Sequence, residues 1–96
     1  MTSKEVYEKV FTNKVVKCVM LIAYKAWEHG DSGIDDCGEC VCNSIRECYP
    51  FMNVIYGGSV CFGVTFSFVV HINNERFTIV LRKKKGGISL EVGKLN

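Results

Sequence analysis

The stretch FGVTFSFVVHI at Phe62–Ile72, followed by Asn73-Asn74 and then ERFTIVLRKKK at Glu75–Lys85, decides the fold. Its even positions, Phe62, Val64, Phe66, Phe68, Val70 and Ile72, are all apolar, while the odd ones between them are Gly63, Thr65, Ser67, Val69 and His71. Successive side chains on a strand point to opposite faces, so a period of two predicts a strand with one core face and one mostly polar face. Asn73-Asn74 reads as a turn, because asparagine tolerates the positive φ of tight hairpins. A two-residue loop there sets Val70 opposite Phe77, Phe68 opposite Ile79 and Phe66 opposite Leu81, all on the core side.

The same logic runs outward in both directions. A turn at Gly86-Gly87 sets Leu81 opposite Val92, Lys83 opposite Leu90 and Arg82 opposite Glu91, the last a favourable cross-strand pair. A turn at Gly57-Gly58 sets Ile55 opposite Val60 and Phe51 opposite Val64. Strands are therefore expected near 51–56, 59–72, 75–85 and 88–93, joined as a four-stranded antiparallel meander.

The sequence before residue 50 changes period. Thr2-Ser3-Lys4-Glu5 resembles a capping box. From there to His29, the apolar residues Tyr7, Val10, Phe11, Val15, Cys18, Val19, Ile22 and Trp27 recur mostly at three and four, which is a helical face. Thr12-Asn13 marks a kink or break, leaving one long helix or two short ones, and Gly30 suits a C-terminal cap. Cys18 to Tyr24 is apolar all round, so deep burial is expected there. A second helix runs from about Asp35 and Asp36, which suit its cap, to Tyr49, with Cys37, Val41, Ile45 and Cys48 as its inner stripe and Pro50 ending it.

Residues 1–96 thus read as a single α+β domain: a helical part over 3–49 covers one face of a β-meander over 51–93, as a two-layer sandwich. With 48% hydrophobic and 23% charged residues the chain can build one core and is not disordered. No apolar run near Met1 resembles a secretory signal, and the longest charge-free apolar stretch, Cys18 to Tyr24, falls far short of the about 20 residues of a membrane span. These features predict a soluble, cytoplasmic protein with no membrane partner.

Six cysteines without a secretory signal favour thiols or metal over disulfides. Cys37, Cys40, Cys42 and Cys48 follow the spacing C-x2-C-x-C-x5-C, and a C-x2-C pair can hold zinc. The set lacks the second distant pair of most structural zinc sites, so the remaining ligands would be Cys42 and Cys48, or a residue brought in by folding such as His29, His71, Cys18 or Cys61. Free cysteine more commonly fills a core as a small apolar residue, and no cofactor is expected on balance. A redox role for Cys37 and Cys40 ranks lower, because thioredoxin-type motifs follow a strand. His71 shares a strand face with Ser67 and Cys61, but both lie far from it along the strand, and it reads as a solvated histidine beside a turn.

Arg82, Lys83, Lys84 and Lys85 form a basic run that suits phosphate, although a net charge of +2 is a weak signal and outward aromatics for base stacking are missing. The ordinary alternative is a solvated strand end whose lysines discourage edge pairing. The first strand is apolar on both sides, so Met52, Val54 and Tyr56 are candidate partner-binding residues unless a helix covers them. The function expected from these features is non-catalytic binding of another protein or a second copy. A phage- or virus-encoded inhibitor or accessory factor has this size and character. The alternatives are a nucleic-acid-binding module using the basic hairpin and a zinc-stabilised or thiol-active protein using the four cysteines.

Overall fold

The computed structural model describes residues 1–60 and 65–95. Its first helix, α1 (Ser3–Val6), opens with the capping box: Thr2 Oγ1 accepts from the Glu5 amide, and the Glu5 side chain accepts from the Thr2 amide. It runs into a π-helical stretch, Tyr7–Phe11. The chain breaks at Thr12-Asn13, where Asn13 Oδ1 accepts from the amides of Val15 and Val16 and so caps α2 (Lys14–Glu28). Gly30, at φ +76°, turns the chain out of α2, since its lack of a side chain makes the left-handed region accessible. Gly33 is the N-cap of α3 (Ile34–Cys48), and Asp35 and Asp36 lie in its first turn rather than capping it.

Four strands follow in the spatial order β1-β2-β3-β4, all antiparallel: β1 (Val54–Ser59), β2 (Phe66–Ile72), β3 (Glu75–Lys84) and β4 (Gly87–Leu95). The helices pack on one sheet face, giving the α+β two-layer arrangement. The β2–β3 register pairs Val70 with Phe77, Phe68 with Ile79 and Phe66 with Leu81, as expected. Both turn asparagines have positive φ, 51° at Asn73 and 69° at Asn74, which fixes a two-residue loop.

The other two turns differ from expectation. Lys84 pairs with Gly87, so Lys85-Gly86 is the β3–β4 turn, and the register is Leu81 with Leu90, Arg82 with Ser89 and Lys83 with Ile88. This is a slip of two residues, which preserves the faces. Arg82 still reaches Glu91, now diagonally, with Nη1 at 3.1 Å from both carboxylate oxygens.

Gly57 and Gly58 are not a hairpin turn but part of β1, which pairs Val54 with Ile72 and Tyr56 with Val70. Gly58, at φ +98°, sits in the irregularity between Tyr56 and Ser59, where glycine is the residue that relieves strain. The expected pairing of Ile55 with Val60 is therefore replaced by Ile55 with His71, and Phe51 lies in the turn before β1; Val64, its expected partner, lies outside the described residues with the rest of 61–64. Val54 and Tyr56 now face the helices, whereas Ile55 and Phe51 are exposed.

The core joins Val6, Val10 and Phe11 with Val16, Met20, Ala23 and Tyr24 of α2, Val41 and Ile45 of α3, and the inner sheet residues Phe66, Phe68, Val70, Ile72, Phe77, Ile79 and Leu81. Tyr24, Trp27, Phe66 and Phe68 form an aromatic cluster with centroids 5.5–5.8 Å apart, the contacts of Phe66 edge-to-face and Tyr24–Trp27 tilted. The ends of the chain meet: Lys94 Nζ donates to the Met1 carbonyl at 2.9 Å and to Glu75 Oε1 at 3.0 Å. No helix among the described residues is long and apolar enough to cross a membrane.

Candidate protein-contact surfaces

The cysteines spread around α3 rather than converging. A helix turns each residue by about 100°, so Cys37, Cys40 and Cys48 fall near one side while Cys42 is directed elsewhere. Cys42 is fully buried, near Tyr56, and burial pushes its thiol up to about 12. Cys37 is buried against α2, and burial pushes its thiol up too, with Cys40 and Asp36 acting in the same direction. That is the reverse of what a nucleophilic thiolate needs. Cys48 donates to Asn13 Oδ1 at 3.6 Å at the far end of α3. No group of three or more His, Cys, Asp or Glu side chains among the described residues is placed to hold a metal ion. Cys18 and Cys40 are exposed, and Cys61 lies outside the described residues.

His71 lies on the outer sheet face, its ring close over Gly57, where a Cβ would come 2.8 Å from Cδ2. Ser67 on that face is buried and donates to the Val60 carbonyl at 2.6 Å. His29 sits 4.0 Å from Glu28.

The basic run divides. Arg82 is held by Glu91, and Lys83 Nζ lies 3.4 Å from Glu28 Oε2, while Lys84 and Lys85 stand exposed at the end of the hairpin. Two of the four cations are thus offset by local carboxylates, which weakens the field a phosphate backbone would meet.

β1 is the outer strand of the sheet at one end and β4 at the other. β4 carries Glu91 and Lys94, charges of the kind that discourage edge pairing, whereas β1 reads VIYGGS with no charge at all. Of the candidate residues there, Val54 is 5% exposed and belongs to the core, and Met52 packs against it. Tyr56 is half-buried, its hydroxyl donating to Asp35 Oδ1 at 2.7 Å. Val54 therefore cannot meet a partner, and the outward apolar residues are Phe51, wholly exposed on the turn after Pro50, and Ile55, 52% exposed. Arg46 of α3 covers one edge carbonyl, its Nε donating to Val54 O at 2.8 Å while Nη1 engages Glu39 and Asn43.

The second surface is the outside of the helical layer. Cys18 to Tyr24 is not deeply buried throughout: Met20, Ala23 and Tyr24 face the core, but Cys18 is exposed and Ile22 is 63% exposed. Val15, Val19, Ile22 and Ala26 recur at spacings of four, three and four, a seam on the face turned from the sheet. Beside it runs a groove of about 220 Å³ lined by Val19, Ile22, Ala26, Asp36, Cys37 and Cys40. The all-round apolar run was its signal in the sequence; a single helical face absorbed what are two faces. No protein-family model matches this chain, and no curated protein or solved structure shows significant similarity to it.

Proposed function

We propose that this protein is a small non-catalytic binding protein that acts by protein–protein contact, taking a strand of its partner onto the free edge of β1. The observation that carries this reading is the uncharged edge VIYGGS flanked by exposed Phe51 and Ile55. Edge strands present unpaired amide and carbonyl groups, and a partner strand satisfies them while side-chain contacts supply selectivity. Singly exposed apolar residues are ordinary, but two beside one open edge give such a strand something to bury. Arg46 already occupies the Val54 carbonyl, so a partner strand would bond to the edge beyond it, across the irregularity between Tyr56 and Ser59. The cytoplasm is the compartment that fits, since it keeps exposed thiols such as Cys18 and Cys40 reduced.

The test is a tagged capture from host lysate, with and without nuclease, using the natural chain and Ile55→Lys. We expect a protein partner that survives nuclease and is lost with Ile55→Lys. Capture that collapses with nuclease moves the site to Lys84 and Lys85. Capture indifferent to Ile55→Lys removes β1 from the interface.

A further inference from the structure

We infer that the outer face of α2 and α3 is a self-association surface, on which a second copy of this chain packs its own α2 and α3 about a two-fold axis parallel to the helices. This surface lies apart from the β1 edge, and the inference stands independently of the strand-addition reading.

Charge identifies the occupant. On the exposed side of α2, away from α3, stand Lys14 and Lys25; on the exposed side of α3 stand Asp36 and Glu47. None of these four makes an ion pair among the described residues. Of the neighbouring charges, Glu28 pairs with Lys83, Arg46 with Glu39, and Asp35 accepts from Tyr56, while Lys17 adds a further exposed cation to the α2 side. Each pair is eleven residues apart, about 16 Å along a helix. The helices are antiparallel, since Cys48 meets Asn13 at one end while Asp36 and Ala26 line the groove at the other. A face-to-face two-fold therefore lays α2 of one copy on α3 of the other with Lys25 against Asp36 and Lys14 against Glu47. Both contacts occur twice, as an isologous interface requires.

Between those pairs the Val15, Val19, Ile22 and Ala26 seam meets the Cys40 side of the partner helix, and the apolar groove is filled. The helix dipoles favour the same pairing at Lys14 and Glu47. A cation at a helix N-terminus and an anion near a C-terminus each oppose the helix dipole. Lys14 is the first residue of α2 and Glu47 the last but one of α3, so both carry the unfavourable sign for an isolated chain. Across the two-fold each would find the charge that offsets it.

Sedimentation velocity from about 5 μM to about 500 μM tests this, the range suited to a small interface. The natural chain is expected to pass from monomer to dimer, and Ile22→Asp to remain monomeric throughout. Lys14→Glu should weaken the dimer about tenfold while leaving the monomer at least as thermally stable, because it corrects the dipole mismatch. Lys14→Glu combined with Glu47→Lys should restore dimerisation. A natural chain that stays monomeric over the whole range overturns the inference and leaves the groove to a different protein. So does a dimer that Ile22→Asp leaves intact, or a double variant that fails to recover. A dimer dissolved by Ile55→Lys forms through β1 and overturns it equally, whereas one untouched by Ile55→Lys, with lysate capture lost, upholds both proposals.

Discussion

The ring of Tyr56 lies directly against the bare backbone of Gly38: a Cβ built at that glycine would stand 2.2 Å from Tyr56 Cε1. Glycine inside a helix costs about 1 kcal/mol relative to alanine, so its place in the middle of the first half of α3 needs a reason. The reason is the close approach of helix to strand that seats Tyr56 beneath α3 and brings its hydroxyl to Asp35. Gly38→Ala is therefore expected to lower stability by about 1–3 kcal/mol, where helix propensity alone predicts a gain. Urea denaturation of Gly38→Ala, Tyr56→Leu and the double variant checks it. A smaller loss from Gly38→Ala in the Tyr56→Leu background would locate the clash, and additivity would refute it.

Thiol reactivity should sort by position. Cys18 and Cys40 are exposed, whereas Cys37 and Cys42 are buried and their thiols are pushed up. Alkylation followed by peptide mass spectrometry is expected to label Cys18 and Cys40 within minutes and Cys42 only on unfolding. A chelator should leave both the labelling pattern and the far-ultraviolet circular dichroism unchanged. Protection of Cys37, Cys40 and Cys48 that a chelator abolishes would revive the zinc reading.

Alkaline pH should destabilise the fold before it modifies it. Burial raises the Cys42 thiol to about 12, and it raises Tyr56 and Tyr24 as well, aided by Asp35 and Glu28 respectively. A group raised in the folded state stays protonated there while its unfolded counterpart ionises. Its contribution is complete below the unfolded pKa, about 8.5 for a thiol and about 10 for a tyrosine, and is lost as pH climbs toward the folded value. Melting temperature is expected to fall steadily from about pH 8.5 upward, and Cys42→Ala should flatten the early part of that fall. A flat profile to about pH 11 would contradict the assignment.

The basic hairpin should tolerate reversal. Lys84→Glu with Lys85→Glu alters two exposed side chains that take no part in the ion pairs of Arg82 and Lys83. Stability is expected to shift by less than about 0.5 kcal/mol, and capture of a protein partner to persist. Loss of capture, together with strongly salt-dependent binding of single-stranded oligonucleotides by the natural chain, would transfer the function to this hairpin.

How far the sequence could be read depended on which residues made a choice unique. Asn73-Asn74 admits one two-residue turn, and the pairs from Phe66–Leu81 to Val70–Phe77 follow without freedom. Lys85-Gly86-Gly87 admits two, and the molecule uses the earlier one; parity survives because the slip is two residues. Gly57-Gly58 resembled a turn but serves an irregular strand, and with the turn went the face assignment of Val54 and Ile55. The candidate site suffered most. The outward residues of β1 are the ones the pattern turned inward, and on α2 the face of Val16, Met20 and Ala23 is buried while Ile22, about 100° around the helix, is exposed, a split hidden by the apolar run that includes both.

The clasp between Lys94 and the Met1 carbonyl bears on how the chain is made. During synthesis the N-terminal helix leaves the ribosome long before the strand that holds it, and Tyr7 and Phe11 border a groove closed by Ile88 and Leu90. Contacts of such sequence separation slow folding, and apolar segments waiting for late partners are prone to aggregate. Until β4 is made, the side of Tyr7 and Phe11 that Ile88 and Leu90 cover stays open to other apolar surfaces, so the last strand closes the core as well as extending the sheet.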